Sequence, residues 1–388
     1  MAFLSNKTVN LLNLHYGLHA LASSAGGAFF AAYMLKAGIK PQYVLLAYAL
    51  LFASRFIIRP LVLVVGKRVG LKPLVIIGSI VMAVQYPVVA QIKGVDLFLL
   101  TYCIVSALAD VFYWTSYHAY FASLGDAEHR GHQTSLREAA VSIIGVVAPI
   151  LGAWGLATVG ANVTFLIAAA IQLSSVLPLI GTPPAKVEPV VEGAFQAAMP
   201  GVRFFVADGL ISAGLYMTWP IALFVSLSNS YGAFGGAMAL AAFVGAVAGL
   251  ILGRFVDQGH GSRLLWPVFG LLVLSILARA QAPNAATAVL ANAFGAVVGL
   301  LYVPLFMTAV YNLSQRSPCP LRFQLAAEGG WDTGAVIGLL LCAGLVALGL
   351  GLQTVILLSL VGASLNFVFV RRYYRDEEAA LESQAQEV

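Results

Sequence analysis

The chain has 388 residues, of which 60% are hydrophobic and only 10% charged, with a formal net charge of +5. A mean hydropathy of +0.90 means far more apolar surface than one soluble core can hide, so the excess must face lipid and the class is integral membrane protein. The basic residues fall between apolar segments and form no continuous stripe, which excludes nucleic acid as a partner. Cys103, Cys319 and Cys342 lack ligand spacing, which excludes a disulfide framework and a zinc site.

About 20 apolar residues are needed to cross the hydrocarbon core as a helix. Read with that ruler, spans are predicted at 11–35, 42–66, 73–92, 96–121, 134–160 and 163–181, then at 200–227, 232–256, 263–281, 284–312, 323–349 and 352–371. The expected fold class is therefore all-α, with twelve transmembrane helices in two six-helix bundles: 1–181, a linker over 182–199, 200–371, and a tail over 372–388. Echoes about 190 positions apart support a duplication. Glu138 and Glu328 each open an apolar helix, while Lys67 and Asp257 each end one.

The first span is preceded by Lys7, lacks a small-residue cleavage site and runs on to Leu35, so it reads as a retained helix and not a signal peptide. It carries Asn10, Asn13, His15, Tyr16 and His19, with the two histidines one turn apart. The second span carries Arg55 and Arg59, also one turn apart, at depths of roughly 16 and 10 Å from its end near Gly66 at 1.5 Å per residue. On the fourth span Asp110, Tyr113, Trp114, Tyr117, His118 and Phe121 make a stripe that lipid would penalise, so it should line a cavity. Asp110 is the first candidate for a proton carrier, because movement between wet and dry surroundings would switch its charge; Asp208 is the second and His19 the third. The fifth span opens near Arg137 and Glu138 and carries Gly145-Val-Val-Ala148-Pro149-Ile-Leu-Gly152-Ala153.

Between the halves, Gly181–Pro200 holds Pro183, Pro184 and Pro189, which cannot continue a helix. The seventh span contributes Asp208, Ser212, Tyr216 and Trp219, and the eighth closes on Gly253-Arg-Phe-Val-Asp257-Gln-Gly-His260-Gly261-Ser-Arg263. The tenth adds Asn292, Tyr302, Met307, Tyr311 and Asn312; the eleventh adds Glu328 and Asp332 one turn apart, roughly 7 and 14 Å deep by the same rise. Lys67, Arg68, Lys72, Arg130, Lys186, Arg254, Arg316 and Arg371 fall on one side of the bundle, against Lys36, Lys40, Lys93 and Arg279 on the other. The positive-inside rule then places both termini and the linker in the cytoplasm.

The twelve-span layout and the 253–263 motif resemble the major facilitator superfamily, whose Gly-x-x-x-Asp-(Arg)-x-Gly-Arg-Lys signature joins the second helix to the third and recurs between the eighth and ninth. Here the first copy has Leu63 for its Gly and Lys67 for its Asp, so the stronger copy is the one carrying Gly253, Asp257 and Arg263. The segment with Gly145, Pro149 and Gly152 is similar to the family's antiporter motif, with Ala148 and Ala153 in place of glycines. The resemblance implies a central path lined by the first, fourth, seventh and tenth helices. It also implies ion pairs that break as the cytoplasmic side opens: Arg59 with Glu328, Arg55 with Asp332, and Arg137 with Asp257.

The function expected is a secondary transporter that moves a small organic solute by alternating access, coupled to protons and working as a monomer in a bacterial cell membrane. Efflux of amphipathic compounds is an alternative, as is transition-metal transport through His15 and His19, although no metal motif of fixed spacing accompanies them. A non-transporting sensor or scaffold is the alternative of another class. No clustered nucleophile is present, so no enzyme is expected; no Gly-x-x-x-x-Gly-Lys-Ser/Thr sequence is present, so no nucleotide cofactor is expected.

Overall fold

The structure, a computed structural model, describes residues 6–124, 130–187, 191–256 and 261–386. Among these residues every regular element is helical. Lipid leaves no other way to satisfy the backbone of a spanning segment short of a closed barrel. Eleven helical runs are long and apolar enough to cross a membrane, and Leu264–Ala280 is a shorter apolar helix. Large side chains such as Leu250 (86% exposed) and Ile57 (75%) point outward, as a lipid-facing surface requires.

The first compact unit is Met1–Val191 with Phe224–Phe243. Its helices are α1 (Lys7–Ala25), which continues through a 3-10 turn into α2 (Phe30–Lys36), then α3 (Pro41–Ile58), α4 (Leu61–Val69), α5 (Leu71–Ala90) and α6 (Leu97–Leu124). After these come α7 (Arg130–Thr158), α8 (Ala161–Ser174) and the short α9 (Val176–Ile180). Asn6 caps α1 by accepting from the Val9 amide at 3.1 Å, and Asp96 caps α6 by accepting from Leu99 at 3.0 Å. Each cap satisfies a backbone donor that no carbonyl of the helix can reach. Close approach of α5 to α6 rests on Gly78, where a Cβ would lie 2.5 Å from the Tyr113 amide nitrogen. The motif glycines of α7 sit at close contacts. A Cβ on Gly152 would collide with the Ala25 carbonyl oxygen, and one on Gly145 would lie 3.3 Å from Ala242.

The second unit is Glu192–Leu223 with Val244–Val388. It contains α10 (Ala194–Ala197), α11 (Met199–Ser212), a π turn at Ala213–Thr218 leading into α12 (Trp219–Ser226), and the later part of α13 (Tyr231–Val256). These are followed by α14 (Gly261–Ala280), α15 (Ala285–Arg316), α16 (Pro320–Ala347), α17 (Leu352–Val355) and α18 (Ser359–Gln386). Helices α11 and α16 pack most closely: a Cβ on Gly334 would collide with the Val206 carbonyl oxygen. The π turn frees carbonyls that lipid cannot satisfy. The Thr218 hydroxyl donates to Ala213 O at 2.7 Å, and Ser359 donates to Ile211 O at 3.0 Å.

Candidate functional site

In the first unit α1 and α6 build an aromatic wall. His15 and His19 are buried, one turn apart on α1, and face Tyr113, Trp114 and Tyr117 of α6. Tyr16 stacks on Tyr117 with ring centroids 5.2 Å apart, Tyr113 stacks on Tyr117 at 5.5 Å, and His19 lies 4.5 Å from Tyr113. His118 stacks on Trp114 but is exposed. The Arg137 guanidinium of α7 lies over the rings of Tyr16 (4.9 Å) and Phe121 (5.0 Å) and donates to the neighbouring Glu138 at 2.8 Å.

The histidines find their other partners on α8 and just beyond it. His15 Nδ1 lies 2.7 Å from the Ser175 carbonyl oxygen, which only accepts, so that nitrogen carries the proton. In the neutral ring Nε2 then accepts from the Tyr113 hydroxyl at 3.1 Å. His19 Nδ1 meets Gln172 Oε1 at 3.1 Å. Both His15 nitrogens are thus hydrogen-bonded, and among the described residues no group of three or more His, Cys, Asp or Glu side chains is placed to hold a metal.

Both charges of the second span have a partner in the first unit. Arg55 forms an ion pair with Asp110 at 3.4 Å and lies 4.9 Å from the Phe52 ring. Arg59 is buried and donates to the Thr115 hydroxyl at 3.3 Å. Asp110 thus has a cation beside it. Asn13, on α1, is half-buried.

In the second unit the carboxylate of Asp208 on α11 is held by two neutral donors. The Tyr302 hydroxyl of α15 donates to Oδ1 at 2.8 Å, and the Trp331 indole of α16 donates to Oδ2 at 3.1 Å. Asn366 of α18 donates in turn to the Tyr302 oxygen at 2.7 Å. No cation lies within ion-pair distance of Asp208 among the described residues. Glu328 and Asp332 lie one turn apart on α16, the first half-buried and the second fully buried. Trp219 is buried and donates to Asn292 at 3.0 Å, while Tyr216 and Tyr311 are half-exposed. Asp257 lies outside the described residues, and at Gly253 and Arg263 only the helical backbone is described.

Sequence reasoning missed Gln172, Ser175, Trp331 and Asn366, which share no helical face with the residues they bind. It also counted Arg279 as a loop charge. Arg279 is in fact buried, with its guanidinium 5.5 Å from the Trp219 ring and donating to Ser275 at 2.7 Å. The readable signal was Ser275 one turn earlier on the same span.

The Major Facilitator Superfamily profile matches residues 12–324. Comparison with curated proteins finds no significant match. Among solved structures the chain is similar to the human organic anion transporter MFSD10 (TETRAN), with a TM-score of 0.69 and 15% identity over 94% of this chain and 99% of that one. It is also similar to a point mutant of the nucleoside transporter NupG, with a TM-score of 0.64 and 14% identity over 95% of this chain and 99% of that one. At these identities the likeness carries the fold, and the profile match carries the family. The chain is a multi-pass membrane protein of the major facilitator superfamily, a family of transporters.

Proposed function

We propose that this transporter moves a small organic solute by alternating access, driven by the proton gradient, in a cell membrane with both termini cytoplasmic. The observation that carries the reading is Asp208, a carboxylate within a membrane span that is held by the neutral donors Tyr302 and Trp331. An ionisable group placed there is costly and is retained where a pathway or a relay uses it. Because its neighbours are neutral donors, gaining or losing a proton changes the local net charge by one. That is what a coupling site must do. Asp110 is the weaker proton site on the same reasoning, since Arg55 compensates its charge in place.

The aromatic wall of α1 and α6 supports an organic solute, because ring faces bind carbon frameworks and polar edges at once. Both solved neighbours are named for organic solutes, an organic anion in one case and a nucleoside in the other. The test is solute-linked proton movement in liposomes across a panel of organic acids, sugars, nucleosides and amphipathic cations, comparing the wild-type chain with Asp208→Asn and Asp110→Asn. Loss of proton-driven accumulation in Asp208→Asn, with solute exchange retained, is the expected outcome. Proton coupling intact in that variant would refute the assignment.

A further inference from the structure

Arg279 is a cation near the end of α14 whose side chain points back into the second unit and is only 7% exposed. Side chains on a helix tilt toward its N-terminus, so the guanidinium lies level with Ser275, one turn deeper than its own backbone. An arginine offers five N–H donors. Here Nη1 donates to the Ser275 hydroxyl at 2.7 Å, the Trp219 ring face lies 5.5 Å away, and Nε has no acceptor. No carboxylate lies within ion-pair distance of it among the described residues. A buried cation satisfied by one hydroxyl and one ring is far from compensated, since desolvating a charge costs several kcal/mol unless an opposite charge meets it.

The surroundings are shaped for that guanidinium. Gly295 on α15 faces it, and a Cβ there would collide with Nη2, so the absence of a side chain makes the cradle. Beside it is a small cavity of about 40 Å³, lined by Arg279, Ser275, Tyr216, Tyr302 and the apolar side chains of Leu215 and Leu272. A water needs roughly 10–15 Å³ on this measure, so the cavity takes about three water-sized groups. That suits the head of an oxyanion and excludes the body of a drug-sized molecule. A planar guanidinium with free donors matches a carboxylate edge to edge.

We infer that Arg279, with Ser275 and the Gly295 cradle, is an oxyanion subsite that binds the carboxylate of the transported solute. The inference rests on the reading of the chain as a transporter of small organic solutes and names the class of solute. Tyr216, half-exposed at the cavity, supplies a hydroxyl and a ring edge beside the bound head group. The same chemistry would accept a phospholipid phosphate or an inorganic anion, and the test separates these sources.

The purified full-length chain in neutral detergent is titrated with sodium benzoate, with benzamide, with chloride at matched ionic strength and with phosphatidylglycerol, following thermal unfolding. Saturable stabilisation by benzoate, none by benzamide, and an apparent affinity weakened about tenfold to hundredfold in Arg279→Gln are expected for loss of a charge-assisted pair. Gly295→Ala keeps the charge but displaces the guanidinium, and it should weaken benzoate in the same direction, so it decides the matter if Arg279→Gln does not fold. Equal stabilisation by benzamide, no benzoate response, a response unchanged in Gly295→Ala, or stabilisation by chloride or phosphatidylglycerol alone would overturn the subsite. Solute flux in liposomes is measured alongside. Flux without carboxylate preference refutes this inference and leaves the transporter reading standing, whereas carboxylate binding without flux of any solute refutes the transporter reading.

Discussion

Tyr302→Phe deletes one oxygen and with it two hydrogen bonds, the 2.8 Å bond to Asp208 and the 2.7 Å bond from Asn366. The ring itself, stacked on Phe306 with centroids 5.8 Å apart and set edge-on to Phe269, is retained, so the packing term is near zero. What changes is the satisfaction of polar groups. Asp208 Oδ1 loses its donor and keeps only the indole bond on the other oxygen, while Asn366, whose Oδ1 is already unpartnered, loses its remaining contact to Tyr302. A hydrogen bond to a charged group is worth about 1.5–3 kcal/mol in water-soluble proteins, but pairs within membrane bundles average nearer 0.6 and reach about 1.7. The membrane figures govern here, which gives a loss of about 1–3 kcal/mol for the two bonds together. The assay is thermal unfolding in detergent read by a thiol-reactive dye, since Cys103, Cys319 and Cys342 are all free and buried in the folded chain. Tyr216→Phe, at a half-exposed ring, is the reference and should change stability by less than about 0.5 kcal/mol. A Tyr302→Phe, Asp208→Ala double-mutant cycle, in which each single change removes the hydrogen bond, then isolates the pair term. If Tyr302→Phe unfolds with Tyr216→Phe, or the cycle shows no coupling, the Asp208 network contributes nothing and the reasoning fails.

The helix contacts and the ion pair make further predictions. Gly78→Ala places a methyl against the backbone of Tyr113 and should cost about 1–3 kcal/mol by overpacking, whereas Gly270→Ala, with nothing within 4 Å, should be neutral or stabilising by up to about 1 kcal/mol; the same melts compare them. Arg55→Gln should destabilise by about 1–3 kcal/mol, below the range for a fully buried pair because the partners are 13% and 24% exposed. Adding Asp110→Asn should recover most of that loss, as judged by the fraction of monodisperse protein after purification. Absence of rescue would show that the two charges do not compensate each other.

The membrane spans were legible because crossing lipid demands a long apolar run, and composition alone reveals one. The helical faces were legible too. Asp208 and Tyr302, singled out on separate spans, meet at hydrogen-bonding distance. What one sequence cannot supply is azimuth, the choice of neighbour at a given depth. Depth alone offers Arg55 more than one carboxylate, and the Asp110 partner on α6 becomes visible only once α3 is seen to pack along that helix. Trp331 and Asn366 escaped for the same reason, each lying on a helix whose own pattern does not say what it faces. The π turn at 213–218 is hidden inside an apolar run, where a hydrogen-bond register shift leaves the composition unchanged. Arg279 was misread because a cation near the end of a span ordinarily marks the loop, and only the Ser275 contact and the bare Gly295 backbone reveal that its side chain turns inward.

The most direct test of the account is proton movement linked to solute in liposomes containing Asp208→Asn. The account predicts that this variant still exchanges solute across the membrane but no longer accumulates it against a gradient when a pH difference is imposed. Accumulation at the wild-type level would contradict it and remove Asp208 from the coupling path.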